Sequence, residues 1–213
     1  LGDVYKRQLI FNLMSENNVL PVILAGGKSR RFGGNKAYAK LGDLTLIDHT
    51  IQKLKNRFKE ILIISNEESN KIISNVFYSS DVMDGQLGPL VGVLSSMEWI
   101  IDNSKNYKWI MTFPCDTPFF KIEIIDQMMT AQRQSSKKLF FLKSGEKRHN
   151  IFGLWSIKLL ERLEKDLNDG ERKVELWANN VGVKIINMEF PNNDPFFNIN
   201  TEEDLEKAKE ILK

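Results

Sequence analysis

At 213 residues, 42% hydrophobic and 27% charged, the chain has the composition of an ordinary folded domain and enough apolar residues for a sizeable core. A formal charge of +2, with acids and bases interleaved, demands no nucleic acid as partner, and no apolar run approaches the roughly 20 residues that span a bilayer. The single cysteine, Cys115, excludes an internal disulfide framework and fits a reducing, cytoplasmic setting.

The opening LGDVYKRQ lacks the order of charged, apolar and small residues that makes a signal peptide. Residues 1–13 are expected to be a non-native or disordered leader. Met14 is read as the start, and 14–213 as one domain. Val19–Ala25 is an apolar run that stops at Gly26-Gly27, which reads as a buried strand. The loop from Gly26 to Lys36 carries four glycines, two arginines and two lysines. Glycine lets backbone N–H groups approach an anion, and the cations supply charge that phosphate oxygens can use. This loop is expected to hold a nucleoside triphosphate.

Leu41-Gly42-Asp43 reads as a turn. Thr45 and Asp48 form a T-x-x-D capping pattern ahead of a helix at about 46–58, where Ile47, Ile51, Leu54 and Phe58 repeat at helical spacing. Strands follow at Ile61–Ile64 and near Val76–Tyr78. Asp81 to Gly88 is loop. Pro89 suits the first turn of a helix whose buried face is Leu90, Val93, Leu94 and Met97. Trp109–Phe113 is a strand ending in Pro114-Cys115-Asp116-Thr117-Pro118. Ile122, Ile125 and Met129 mark the next helix. Lys138–Leu142 and Ile151–Trp155 read as strands about the turn Ser144-Gly145-Glu146. Ile157, Leu160, Leu163 and Leu167 mark a helix. A short helix at Val174–Asn179, a strand at Val183–Met188 and a capped helix after Thr201, with Leu205, Ala208 and Ile211 inward, complete the chain.

The alternation of strand and helix predicts an α/β/α three-layer fold on a mainly parallel, Rossmann-like sheet. Ligands of such sheets gather at the carboxyl ends of strands. Gly26-Gly27, Asn66, Asp81 and Asp116 each follow a predicted strand, so one crevice can hold them all.

The glycine loop is neither of two familiar motifs. Gly27-Lys28-Ser29 resembles the end of a P-loop, but its first glycine would fall at Val22, and the G-x-G-x-x-G spacing is absent. Asp116 suits Mg²⁺, which takes one or two carboxylates and completes its shell with phosphate and water; a turn or helix-cap carboxylate is the alternative. Cys115 has no nearby His or second Cys and reads as a small buried residue. Asn198 and Asn200 flank Ile199 and share a face if extended, fit for a metal or phosphate shell or for plain turn chemistry. His49 and His149 lack triad or metal spacing and read as structural or surface residues.

LAGGKSRRFGGNK (24–36), Gly88-Pro89-Leu90, PCDTP (114–118), FGLW (152–155) and FNINTEEDL (197–205) together resemble the molybdenum cofactor guanylyltransferases, over about residues 19–212. The resemblance implies a nucleotidyltransferase fold and Mg²⁺-dependent transfer of GMP from GTP to a molybdopterin-type cofactor, with release of pyrophosphate. Cofactor-insertion or molybdoenzyme-maturation proteins would be downstream partners. By matching position, Leu24, Ala25, Gly26, Gly27 and Lys36 bind the nucleotide, with Asn66 and Asp81 as further contacts. Asp116 ligates magnesium and Arg31 faces the phosphates. Asn198 and Asn200 match an asparagine pair on the pterin or metal side. Asn35 departs from a usual Asp, Val91 from a smaller residue, and Asn150-Ile151 from a common Pro-Val pair. Two other readings compete: a cytidylyl- or uridylyltransferase for another phosphorylated acceptor, and a non-catalytic nucleotide-binding module.

Overall fold

The structure is a computed structural model that describes residues 17–26, 32, 35–67, 72–83, 88–190 and 195–212. The sequence expectations for residues 1–13, Gly27 and Arg31 lie outside the described residues.

The centre of the fold is β1 (Val19–Leu24). Period-two alternation sends Val19 and Ile23 to one face and Leu20 and Val22 to the other, and all four are almost wholly buried. A strand apolar on both sides needs helices on both faces, which is the environment of a parallel sheet. β1 pairs in parallel with β4 (Ile61–Ile64) on one side and β6 (Trp109–Pro114) on the other. Beyond β4 lies β5 (Val76–Ser79), also parallel. β2 (Lys40–Leu41) and β3 (Leu44–Thr45) form a separate small hairpin.

On one face α1 (Leu46–Lys55) and α3 (Glu123–Arg133) cover a core of Ile47, Ile51, Ile63, Phe113, Phe120 and Met128. On the other, α2 (Pro89–Asp102), α4 (Leu160–Asn168) and α5 (Val174–Val181) enclose Leu62, Val93, Met97, Leu163 and Trp177. The predicted three layers are thus present. α1 begins with the expected capping box at Thr45 and Asp48. It ends at Lys55, short of the expected 58, because the amides of Arg57 and Phe58 both donate to the Leu54 carbonyl and tighten the last turn. Phe58 is still buried. In α6 (Glu202–Leu212), Ala208 is buried against Leu41, Leu46 and Ile199, with Leu205 packed beside them. Ile211, expected inward, is 53% exposed, because this small cluster ends a turn earlier.

The largest departure from expectation is β8 (Lys147–Ser156), which begins four residues before the predicted Ile151. It follows β7 (Leu139–Ser144) through the two-residue turn Gly145-Glu146, with Gly145 at φ 53°, as a tight hairpin turn requires. The run Lys147-Arg148-His149-Asn150 shows no strand alternation because it lines a cleft instead of facing a core on one side and bulk solvent on the other. β8 is antiparallel to both β6 and β7, and β9 (Lys184–Met188) pairs in parallel beyond β7. The seven-stranded order is β5-β4-β1-β6-β8-β7-β9. Reversal brings the amino end of β8 to the edge where β1, β4 and β6 end. There the register jumps from Phe141 opposite Gly153 to Leu142 opposite His149, so Asn150-Ile151-Phe152 bulge out of the ladder.

Candidate active site

The chain runs outward from β1 to β4 and β5 and then crosses back to the other side of β1 as β6, so the sheet has a topological switch point between β1 and β6. A crevice outside the strand ends is expected there. The structure has an open cleft of about 1070 Å³ at this place. Leu24, Ala25, Gly26, Lys36, Asp81, Asp116 and Asn198, all named from sequence, line it.

Lys36 opens a short 3-10 helix (Lys36–Tyr38), and its ammonium rests on the Asp116 carboxylate. The same ammonium donates to Asn200 Oδ1 at 3.1 Å. Both members of the ion pair are mostly covered, at 14% and 15% exposure. Thr117 Oγ1 reaches the other Asp116 oxygen at 3.3 Å. The Asp116 carbonyl accepts from the Ile199 amide at 2.9 Å, which docks the 198–200 loop on the 114–118 loop. Asn198 and Asn200 are exposed and Ile199 is fully buried between them, as the alternation implied. Asp204 Oδ2 accepts the Asn200 and Thr201 amides at 2.9 and 3.0 Å, and these bonds hold its carboxyl below the ordinary range.

Asp81 stands on the other flank. Asn66 Nδ2 donates to its carboxylate at 2.8 Å, and the Asp81 amide donates back to Asn66 Oδ1 at 2.9 Å. Burial pushes the Asp81 carboxyl above its usual value, with the Asn66 hydrogen bond opposing. A side chain at Gly26 would meet Asp81 Oδ2 at 3.7 Å, and one at Gly92 would meet Leu24 at 3.0 Å and Asp81 Oδ1 at 3.6 Å. Gly92 therefore lets α2 approach β1 closely. The amino end of α2, Gly88-Pro89, opens on the same cleft and directs its backbone dipole there.

Asn66 and Asn200 join the site through Asp81 and Lys36. Cys115 is buried, and burial pushes its thiol up to about 12, which agrees with an unreactive packing residue. His49 Nε2 donates one bond to the Leu41 carbonyl at 2.8 Å. His149, read as structural or surface, lines the cleft. Its ring stacks on Phe196 at 3.9 Å and bonds Ser144 Oγ at 2.7 Å. Sequence reasoning touched this wall only at Asn150, through the departure from the family's Pro-Val pair, and missed Arg148 and Asn179. The further signal was a polar run interrupting two apolar ones.

Among the described residues no cluster of three or more His, Cys, Asp or Glu side chains forms a ready-made metal cage. The donor set suits a hard cation that takes one protein carboxylate and draws its other ligands from phosphate and water. Asp116 is the carboxylate so placed.

A mainly parallel sheet with a cleft at its switch point, and a paired Lys and Asp in that cleft, is the arrangement of a nucleotide-binding transferase. A family model described as a MobA-like NTP transferase domain matches residues 21–181. A molybdenum cofactor guanylyltransferase of Haemophilus influenzae is 34% identical over 191 residues, covering 88% of this chain and 95% of that protein. One from Nitrobacter hamburgensis is 28% identical over 193 residues, covering 89% and 92%. The crystal structure of molybdopterin-guanine dinucleotide biosynthesis protein A from Archaeoglobus fulgidus superposes with a TM-score of 0.72 at 19% identity, covering 91% of this chain and 98% of that one. The chain belongs to the MobA-like NTP transferase family and is a nucleotidyltransferase. Use of a divalent metal is general to that class. Among the described residues no helix is long and apolar enough to cross a membrane.

Proposed function

We propose that this protein transfers GMP from GTP to a molybdopterin-type molybdenum cofactor, giving the guanine dinucleotide form and pyrophosphate. The observation that carries the proposal is the convergence of Lys36, Asp116 and Asn200 in one contact at the switch point, in a cleft open on both sides of it. The guanylyltransferase names of the relatives supply the substrate class.

The acceptor's terminal phosphate, with a second pKa of about 6, is largely ionised at neutral pH and needs no general base. The obstacle is repulsion between two anions. Asp116 would hold Mg²⁺, which when bound offsets charge on the phosphates. Lys36, released from Asp116, turns its ammonium to the same phosphates, with Arg31 as a second cation from the glycine loop. The backbone of Leu24 to Gly27 cradles the nucleotide, and Asn198 and Asn200 face the acceptor side. Catalysis in this reading is positioning plus electrostatic stabilisation of charge developing on the departing pyrophosphate. Asp81, held by Asn66, accepts the N1–H and exocyclic amine of guanine. The reaction is assigned to the reducing cytoplasm, where the product passes to cofactor-insertion or maturation proteins.

The test is incubation with GTP, Mg²⁺ and molybdopterin. A guanine dinucleotide and one equivalent of pyrophosphate are expected. Product with CTP or UTP but none with GTP would overturn the assignment.

A further inference from the structure

We infer that Arg148 and Asn150 recognise the heterocycle of the acceptor, by its ring carbonyl and the adjoining ring N–H. The inference rests on the acceptor being a pterin, as proposed above.

Arg148 sits near the start of β8, with its guanidinium over the Phe141 ring at 5.2 Å. Nη1 donates to Asn179 Oδ1 at 2.9 Å, and the Glu175 carboxylate is 3.8 Å away. These contacts fix one edge of the guanidinium. Nε and Nη2 on the other edge are buried and have no hydrogen-bond partner, and the same is true of Asn150 Oδ1 two residues on. Only two other side-chain atoms among the described residues share that condition, Tyr38 Oη and Thr50 Oγ1, so three of five fall on one wall of the cleft. A buried unpaired polar group is costly, and native folds leave few of them. A cluster of three beside a large cleft points to a ligand that completes the set. The β8 bulge starts at Asn150, and bulges at such places re-aim side chains. In the proposed complex the guanidinium would turn about its stem, giving up its Asn179 bond, to present Nε and Nη2 to the cleft.

The free set is two parallel N–H donors and one carbonyl acceptor. A ring carbonyl has two lone pairs for the donors, and the neighbouring ring N–H suits the acceptor. A 2-amino-4-oxopyrimidine ring offers that edge, and both pterin and guanine contain it. Position decides between them. Asp81 follows β5 on one side of Asp116, whereas Arg148 and Asn150 belong to β8 on the other side of β6. With guanine at Asp81 and phosphates at Asp116, the β8 wall is left to the acceptor.

The experiment measures KM for molybdopterin and for GTP, and direct binding of molybdopterin by its fluorescence, in the wild type, Arg148→Met, Arg148→Lys and Asn150→Ala. The thermal shift with GTP and Mg²⁺ reports whether each variant is folded with its nucleotide side intact. Expected are a rise of about tenfold or more in molybdopterin KM and Kd for Arg148→Met, partial recovery in Arg148→Lys, a smaller rise for Asn150→Ala, and an unchanged GTP KM. An unchanged molybdopterin KM in a folded Arg148→Met overturns the inference while the proposed reaction stands. A rise confined to GTP KM assigns the edge to guanine and also overturns it. If the wild type binds molybdopterin without transferring GMP, the proposed reaction fails, and the Kd series still decides the role of Arg148. If the wild type binds no molybdopterin, both fail.

Discussion

The Lys36 ammonium and the Asp116 carboxylate neutralise each other in the ligand-free protein, across loops that follow two different strands. A metal ion approaching Asp116 alone meets a cation already there. A triphosphate gives Lys36 somewhere else to go. Mg²⁺ alone is therefore expected to shift Tm little, and Mg²⁺ with GTP to shift it by more than the two separate shifts combined, since ligands stabilise the state they bind. A thermal shift series with Mg²⁺, GTP and both measures this; additive shifts would show that the pair does not couple the two ligands.

Asp116→Ala removes the proposed metal carboxylate. Loss of one preorganised electrostatic group at a reacting centre costs about 100-fold or more in turnover. Pyrophosphate release should fall by at least about that factor, with the protein still folded by circular dichroism. Near-normal Mg²⁺-dependent release from this variant would sink the mechanism.

Asp81 links specificity to stability. Its carboxyl is raised by burial, so the folded protein holds that proton more tightly than the unfolded chain does. The stabilising contribution is complete below the unfolded pKa of about 3.9 and is lost as pH rises through the higher folded value. Asp81→Asn is thus expected to raise Tm at pH 7, with the gain shrinking in acid. The same variant should lose its preference for GTP over inosine triphosphate, which lacks the exocyclic amine. Unchanged preference would remove Asp81 from base recognition.

Glu60 ties the start of β4 to the loop before β6. Burial alone would raise its carboxyl, but hydrogen bonds from Lys105 at 2.7 Å and Tyr107 at 2.8 Å outweigh that and hold it below the usual value. Its contribution is present above the unfolded pKa of about 4.3 and is lost as pH falls through the lower folded value. Glu60→Gln should cost about 1–2 kcal/mol in urea unfolding at pH 7, and less at pH 3. Equal losses at both pH values would rule out the charge as the cause.

Gly153 marks where β8 packs hardest. An added methyl group would come within 2.6 Å of Trp155 Nε1 and 2.8 Å of Phe141 Cε1, and that indole donates to Thr112 Oγ1. Gly153→Ala is expected to lower stability by about 1–3 kcal/mol through overpacking. A variant as stable as wild type would mean that the two rings can separate.

Local physics made much of the fold legible. Val19–Leu24, Ile61–Ile64 and Trp109–Pro114 are strands because short, mainly apolar runs that stop at turn residues (Gly26, Ser65-Asn66 and Pro114) have few other stable arrangements. The helix starts at Leu46 and Glu202 follow from T-x-x-D capping bonds made within one turn. Asp81 and Asp116 could be named because each follows a strand, and the asparagine pair because it precedes a cap; Lys36 was legible from the cationic glycine loop and from the family resemblance. The direction of β8 could not be read, since strand orientation depends on pairing with residues distant in sequence. With that direction hidden, Lys147-Arg148-His149-Asn150 looked like a polar interruption and not a cleft wall. Only the tertiary structure brought Ile199 onto the Asp116 carbonyl and Lys36 onto both Asp116 and Asn200, because such contacts require the whole sheet order. The sequence determined which groups stand at the strand ends; the sheet decided which of them face one another.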